Sequence, residues 1–258
     1  MKKTFKWRKV LMILAIIILI TVIVINIPES KKQIKTQHFT FIYSNSIGTE
    51  KINELRQALE DNYSRISEDL KTTPASNIEV NIYAQRWRYI KATGNWRASG
   101  NIEGTSKLHF VEQAWTESDS KKIAIHEFTH AVVLKLLIDR EPQPLDGKKF
   151  DVKFSRLPVW LWEATSVYEA GQFYNPKTMS FFVNGSCPGL SELSDRSKGG
   201  KIYSVGYTII EYILHQYGHD KLIELIAGYG DLSTILKVTD EEFSKGWYDF
   251  VKNKYLKQ

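Results

Sequence analysis

Apolar residues in the first half of the chain alternate with polar ones in short segments and recur at helical spacing in one longer segment. Residues 38–43 (HFTFIY), 77–83 (NIEVNIY) and 106–111 (SKLHFV) alternate and are rich in β-branched and aromatic residues, so they predict three strands. Between the first two, an amphipathic helix is predicted from apolar residues three or four positions apart: Ile52, Leu55, Leu59, Tyr63, Ile66 and Leu70.

The second half has apolar residues mainly at helical spacing. It predicts five helices, at about residues 119–138, 158–171, 203–217, 220–228 and 240–256. Thr239 and Glu242 form a capping box, and Gly218 suits a helix end. The connections 139–157 and 172–202 are long and polar, and loops of that length are usually functional or mobile. The predicted fold class is α+β, with a small N-terminal mixed sheet and a helix packed on it, followed by a mostly helical half.

An apolar run lies near the start of the chain. From Val10 to Ile25 only Thr21 interrupts it, and up to residue 27 it is about 18 residues long. As a helix this is about 27 Å, near the thickness of a hydrocarbon core. A cleaved signal peptide, the alternative, would have a shorter apolar region and a small-residue cleavage site. We therefore predict a transmembrane signal anchor over residues 10–27.

Basic residues before this run predict its orientation. The five are Lys2, Lys3, Lys6, Arg8 and Lys9. By the positive-inside rule, residues 1–9 form a cytoplasmic tail of a single-pass cell-membrane protein. Residues 28–37 are then a tether, and 38–258 an extracytoplasmic domain with a sheet part (38–117) and a helical part (118–258). The low Cys and high Lys, Ile and Asn content is typical of a bacterial envelope protein.

Charge and cysteine content argue against a nucleic-acid-binding protein and a disulfide-rich protein. The net charge is +6, but without those five residues 30 of the 35 basic side chains remain against 29 acidic ones. The predicted domain is thus nearly neutral, which gives no support for a nucleic-acid partner. Cys187 is the single cysteine, so an internal disulfide framework is excluded.

The candidate chemistry lies in the predicted helix 119–138, which contains the sequence HEFTH. His126 and His130 are four residues apart, so they share one helix face with Cβ atoms about 5–6 Å apart and can bind one metal ion. Glu127 points about 100° away and can take a proton from a metal-bound water. Capping or packing histidines in a metal-free protein are the alternative.

A catalytic zinc site needs a third protein ligand. The chain continues with AVVLKLL after His130, so the three-histidine pattern H-x-x-G-x-x-H is absent. A glutamate on the second predicted helix is the other source, and LPVWLWEATSVYEAG (157–171) contains Glu163 and Glu169. These two lie about 120° apart around the helix, so both cannot reach one ion, and either remains a candidate.

This second helix resembles the W-L-x-E-G-x-A-x-Y helix of gluzincins, the thermolysin-like and aminopeptidase-like superfamily of zinc metallopeptidases, in its peptidase MA-like bacterial members. The resemblance implies a thermolysin-like core and one zinc ion, with Glu163 as the third ligand beside His126 and His130. It also implies peptide hydrolysis with Glu127 as the general base. Ala164 and Ser166 stand where the family has glycine and alanine, which weakens the match.

The resemblance extends more loosely along the chain. NWRASG and SKLHFV are similar to the strand region before the zinc helix, where an edge strand pairs with the substrate backbone. Residues 201–218 resemble the helix that follows the glutamate helix. This implies that Tyr203 donates a hydrogen bond to the developing oxyanion. Tyr207 shares that helix face, and a packing role is the alternative for both tyrosines.

Other histidines and aromatic residues are predicted to be structural. His215 and His219 are four residues apart, but Gly218 separates them at a predicted helix end. The remaining packing candidates are His38 and His109 in strands, and Trp160, Trp162 and Tyr168 on the glutamate helix.

Together these features predict a membrane-anchored zinc metallopeptidase acting on a peptide or protein substrate. The G-x-M-E-N motif of the resembling aminopeptidases is absent, which favours an endopeptidase. Two alternatives are a catalytically inactive zinc-binding sensor domain of the same fold and a metal-free adaptor.

Overall fold

The computed structural model describes most of the chain, namely residues 7, 9–19, 28–112, 120–195, 197 and 200–257. In this part the strands are β1 Lys31–Lys35, β2 Phe39–Ser44, β3 Ile78–Tyr83, β4 Gly100–Glu103 and β5 Lys107–Val111. The helices are α1 (9–19), α2 Thr49–Asp69, α3 Arg86–Thr93, α4 Ser120–Asp139, α5 Gly147–Phe154, α6 Val159–Glu169, α7 Ser180–Val183, α8 Leu190–Ser194, α9 Ile202–Tyr217, α10 His219–Ala227, α11 Leu232–Ile235 and α12 Asp240–Val251. A 3₁₀ turn, Pro176–Thr178, precedes α7, and π-helical turns, Lys252–Leu256, follow α12.

The five strands form one mixed sheet in the order β1-β2-β3-β5-β4. The three predicted strands are its parallel centre, with Phe41 opposite Val80 and Val80 opposite Leu108. β1 and β4 run antiparallel at the two edges. The α+β class with a small mixed sheet and many helices is thus confirmed.

The sheet has one strongly apolar face because the central strands alternate. Phe41, Val80 and Leu108 on this face are fully buried, in one core with α2 and α4. The opposite face has a small second cluster, in which Tyr83 and Val111 pack with Tyr89 of α3. The zinc-helix candidate α4 therefore lies on the main face, next to the edge strand β4.

Several short elements lie where we predicted irregular chain. The edge strand β1, Lys31–Lys35, lies in the predicted tether 28–37. Its single apolar residue, Ile34, gives too little alternation to predict a strand. Its lysines suit an exposed sheet edge. β4 and α3 were likewise not predicted. The predicted connections 139–157 and 172–202 contain α5, α7, α8 and the 3₁₀ turn, all too short to show a clear period.

The N-terminal predictions fall partly outside the described residues. Residues 9–19 are helical, whereas 20–27 of the predicted anchor are not described. In the described part, no helix combines the length and the apolar character needed to cross a bilayer. The predicted boundary at residue 117 and the predicted helix start at 119 also lie outside the description.

Two predicted helix boundaries in the second half, at Gly218 and at Thr239, agree with the structure. Gly218, with φ of 86°, separates α9 from α10. The capping box at the start of α12 is present, since Thr239 Oγ1 accepts from the Glu242 amide at 3.2 Å and the Glu242 carboxylate accepts from the Thr239 amide at 2.8 Å. α12 is shorter than predicted, because the chain changes to π-helical turns at Lys252.

A close crossing of α6 and α9 positions the glutamate helix. A Cβ atom added to Gly206 of α9 would lie 2.9 Å from Ala164 Cα and 3.3 Å from Val167 Cβ on α6.

We therefore expect Gly206→Val to lower the free energy of unfolding by about 1–3 kcal/mol through overpacking, measured by urea denaturation. Gly147→Val is the matched control, since an added Cβ there meets nothing within 4 Å. Equal losses in both variants would contradict this reading of the crossing.

Candidate metal centre

Helix α4 directs three polar side chains towards a cleft beside β4. His126 and His130 are one turn apart and buried, with side chains about nine-tenths removed from solvent, while Glu127 keeps partial exposure. The rings of His126 and His130 meet edge-to-face with centroids 4.7 Å apart. The predicted shared face is therefore present.

Glu163 of α6 completes a cluster with the two histidines. Glu163 Oε2 lies 3.3 Å from His126 Nε2 and 3.5 Å from His130 Nε2. Ligand atoms of a tetrahedral zinc site, each about 2.0–2.1 Å from the ion, are about 3.3 Å apart. Within the described residues, His126, His130 and Glu163 each offer one ligand atom to a common metal ion, and all three residues are buried. A buried His-His-Glu group that fits a metal ion is thus present.

The protonation state of Glu163 also suits a ligand. Burial raises the pKa of its carboxyl group, but hydrogen bonds from His126 and His130 and the charges of the two rings outweigh burial. The resulting pKa is well below the usual range, so Glu163 is an ionised oxygen donor at neutral pH. Two imidazoles and one carboxylate are a donor set of catalytic zinc sites.

Two residues that we did not predict hold the histidine rings from behind. Gln172 Oε1 lies 3.0 Å from His126 Nδ1, and Ser166 Oγ lies 2.9 Å from His130 Nδ1. With Nδ1–H donating to these oxygens, both Nε2 atoms would bind an ion once it displaces the protons that they share with Glu163, as in metal sites whose outer partners fix the tautomer. Ser166 carried a detectable signal, because it lies three residues after Glu163 on the same helix face. Gln172 lies beyond the helix end and carried none.

Glu127 lies beside the cluster without joining it. A Cβ atom added to Gly100, the first residue of β4, would be 2.5 Å from Glu127 Cγ and 2.7 Å from its Oε1. A larger residue at position 100 would displace the Glu127 side chain from this place. Removal from water raises the pKa of Glu127 to about 7, with His126 opposing the shift and Glu163 adding to it. A carboxyl group with this pKa is suited to exchanging protons near neutral pH.

Glu169, the other candidate ligand, points away from the cluster. Its Oε2 accepts from Arg65 Nη1 at 2.5 Å, and its carbonyl oxygen accepts from Arg65 Nη2 at 2.7 Å. Arg65 is on α2, so Glu169 ties the glutamate helix to the first helix of the sheet part. The structure thus brings Glu163, and not Glu169, to the two histidines.

The cleft over the cluster has a volume of about 590 Å³, and Trp162, Tyr174 and Tyr203 are the aromatic residues that line it. Trp162, which we predicted as a core residue, lines the cleft and stacks on His130 with centroids 4.3 Å apart. Tyr203 also lines the cleft, is 47% exposed, and has its ring 6.1 Å from that of His126. The predicted oxyanion donor is therefore at the cleft.

The remaining predicted candidates lie elsewhere. Tyr207 packs against Tyr168 and Phe173. His215 lies against Phe250 on the far part of α9, and His219 begins the next helix.

His38 and His109, which were predicted to lie in strands, have polar partners in addition to packing. His38 Nδ1 is 2.7 Å from the Glu60 carboxylate and its ring stacks on Tyr63. His109 is buried on the second sheet face, 3.2 Å from the Tyr83 hydroxyl.

Comparison with known proteins adds no family to this geometry. No protein-family model matches the chain, and a search of curated proteins finds no match.

Proposed function

We propose that the protein is a zinc-dependent metallopeptidase of the gluzincin type, with His126, His130 and Glu163 as the ligands of one zinc ion. One observation carries the proposal: three buried ligand atoms lie within 4.8 Å of one another while Glu127, next to His126, stays outside the set and lines the cleft. Three protein ligands leave one position open, which is typical of catalytic zinc, whereas structural zinc is closed by four.

The chain's own residues provide the proton chemistry. When bound, the ion supplies Lewis-acid polarisation of a peptide carbonyl and lowers the pKa of water. Glu127 accepts a proton from the water that attacks the peptide carbonyl, as general base, and then donates it to the leaving amine, as general acid. The hydroxyl of Tyr203 is proposed to donate a hydrogen bond to the oxyanion as it forms.

Strand β4 supports an extended peptide as the substrate. It is an edge strand, antiparallel to β5, and its residues from Gly100 to Ile102 line the metal cleft. An exposed edge gives main-chain donors and acceptors to which a peptide adds as a further strand. The sequence lacks the G-x-M-E-N motif of the resembling aminopeptidases, so we propose an endopeptidase.

The proposal is tested by incubating the zinc-loaded protein with a mixed peptide library and identifying new termini by mass spectrometry. We expect cleavage that a zinc chelator abolishes and added zinc restores. One bound zinc per chain without any cleavage would favour the inactive sensor domain. A chain that binds no zinc would support the metal-free adaptor.

We also propose that residues 10–27 anchor the domain in a cell membrane, with the N-terminus cytoplasmic. The apolar side chains of residues 10–14 and 16–19 are exposed in the structure, which supports contact with lipid. We expect the full chain to remain in the membrane fraction after carbonate washing, and a chain starting at residue 28 to be released. Retention of the truncated chain would contradict the anchor.

A further inference from the structure

An apolar cavity of about 460 Å³ adjoins the metal cleft at Trp162. None of the described residues that line it is charged. Its principal wall residues are Ile102, Leu134, Phe154, Leu157, Val159 and Trp162. They come from four elements, β4, α4, α5 and α6, and the turn before α6, so the cavity is formed by the tertiary fold.

Two residues line both the cavity and the metal cleft, namely Trp162 and Ile102. The indole of Trp162 stacks on His130 at 4.3 Å and meets the ring of Phe154 edge-on at 5.4 Å. Leu134 is one turn beyond His130 on the same helix. A group entering the cavity from the cleft would therefore pass next to a proposed zinc ligand.

Helix α5 gives the cavity a preformed wall. Asp146 caps this helix by accepting from the Lys149 amide at 3.2 Å. Phe150 is buried in the main core and stacks on Phe154 with centroids 5.8 Å apart. The long connection 139–157 therefore positions the Phe154 side chain at the cavity. This agrees with the expectation that a connection of this length is functional.

We propose that this cavity is the side-chain pocket for a large apolar residue of the peptide substrate, next to the bond that is cut. The inference rests on the proposed peptidase function and adds a substrate class to it. Apolar walls favour a phenylalanine or leucine side chain by removing its surface from water. They disfavour a carboxylate, because no basic side chain among those lining the cavity compensates its lost hydration.

The test measures binding without turnover. The zinc-loaded, full-length Glu127→Gln variant in detergent is titrated into labelled alanine nonapeptides carrying Phe, Leu, Ala or Asp at the centre, and fluorescence anisotropy is recorded. We expect the Phe and Leu peptides to bind roughly tenfold or more tightly than the Ala peptide, with the Asp peptide weakest. Equal affinities for all four, including no binding by any, would overturn the pocket.

Two valine variants, added to the Glu127→Gln background, locate the effect. Val159→Lys puts a positive charge at the cavity wall and is expected to weaken the Phe peptide roughly tenfold and to strengthen the Asp peptide. Val152→Lys is the matched control, since Val152 is 57% exposed on α5 and does not line the cavity. An unchanged order of affinities in Val159→Lys would overturn the assignment.

A third variant, Val159→Phe, tests the pocket in case Val159→Lys does not fold. Val159→Phe narrows the cavity and is expected to weaken binding of the Phe peptide more than binding of the Ala peptide. Equal effects on both would overturn the pocket.

The wild-type protein separates the two proposals. Binding that follows this order without cleavage by the wild type would refute the peptidase and leave the pocket. Cleavage without a preference for Phe or Leu would refute the pocket alone.

Discussion

Replacing Glu127 with glutamine is expected to lower kcat for peptide hydrolysis by about 10²–10⁴-fold while one zinc ion stays bound. The amide keeps the size of the side chain beside Gly100 but cannot accept and return a proton. Glu127 is outside the ligand cluster, so the zinc content should not change. The measurements are kcat on a cleaved library peptide and zinc per chain by atomic absorption.

Glu54→Gln is the matched control for this variant, because Glu54 is an exposed residue of α2 far along the chain from the site. It makes the same chemical change and should leave both kcat and zinc content as in the wild type. Loss of zinc from Glu127→Gln would contradict its placement outside the ligand set. Unchanged hydrolysis would contradict its role as general base.

Glu163→Gln is expected to weaken zinc binding by more than about 100-fold. Loss of a residue that only hydrogen-bonds to a metal ligand weakens metal binding by about 10–100-fold, and Glu163 is itself a charged ligand in the proposed site. Glu169→Gln, on the same helix and equally buried, should leave the zinc dissociation constant unchanged. Competition with a zinc-binding dye measures both constants.

Glu169→Gln should instead lower the free energy of unfolding at about pH 8 by weakening the contact with Arg65. The loss should be smaller at about pH 5, because burial raises the pKa of Glu169 to about 7 and the wild-type carboxyl group is then protonated. The two variants thus separate metal binding from folding. Zinc loss from Glu169→Gln with full binding by Glu163→Gln would reverse the assignment.

The centre of the sheet was predictable from sequence and its edges were not. β2, β3 and β5 each bury alternate residues in the main core, so their pattern is strong. β1 and β4 have one apolar residue each, Ile34 and Ile102, and owe their conformation to pairing with a neighbouring strand. Pairing of that kind is a tertiary effect without a local period.

The candidate site divides in the same way. His126, Glu127 and His130 lie on one helix, so helical geometry alone predicts their relation. The choice of Glu163 over Glu169 depended on a family resemblance, because the decisive contact of Glu169 is with Arg65, 104 residues earlier in the chain.

Among the residues that support and extend the site, Ser166 had a sequence signal because it shares a helix face with Glu163, but the others had none. Gln172 and the apolar cavity result from packing between elements that are distant in sequence. Trp162 was predicted as a core residue because its helical spacing is the same in a core and in a cleft wall.

The central claim is that one zinc ion at His126, His130 and Glu163 makes the protein a peptidase. Titration of zinc into the metal-free chain, with bound metal and peptide cleavage followed in the same sample, tests it most directly. We predict that binding and cleavage rise together and both saturate at one zinc per chain. Saturation of binding at one equivalent with no cleavage, or full cleavage before zinc is added, would contradict the claim.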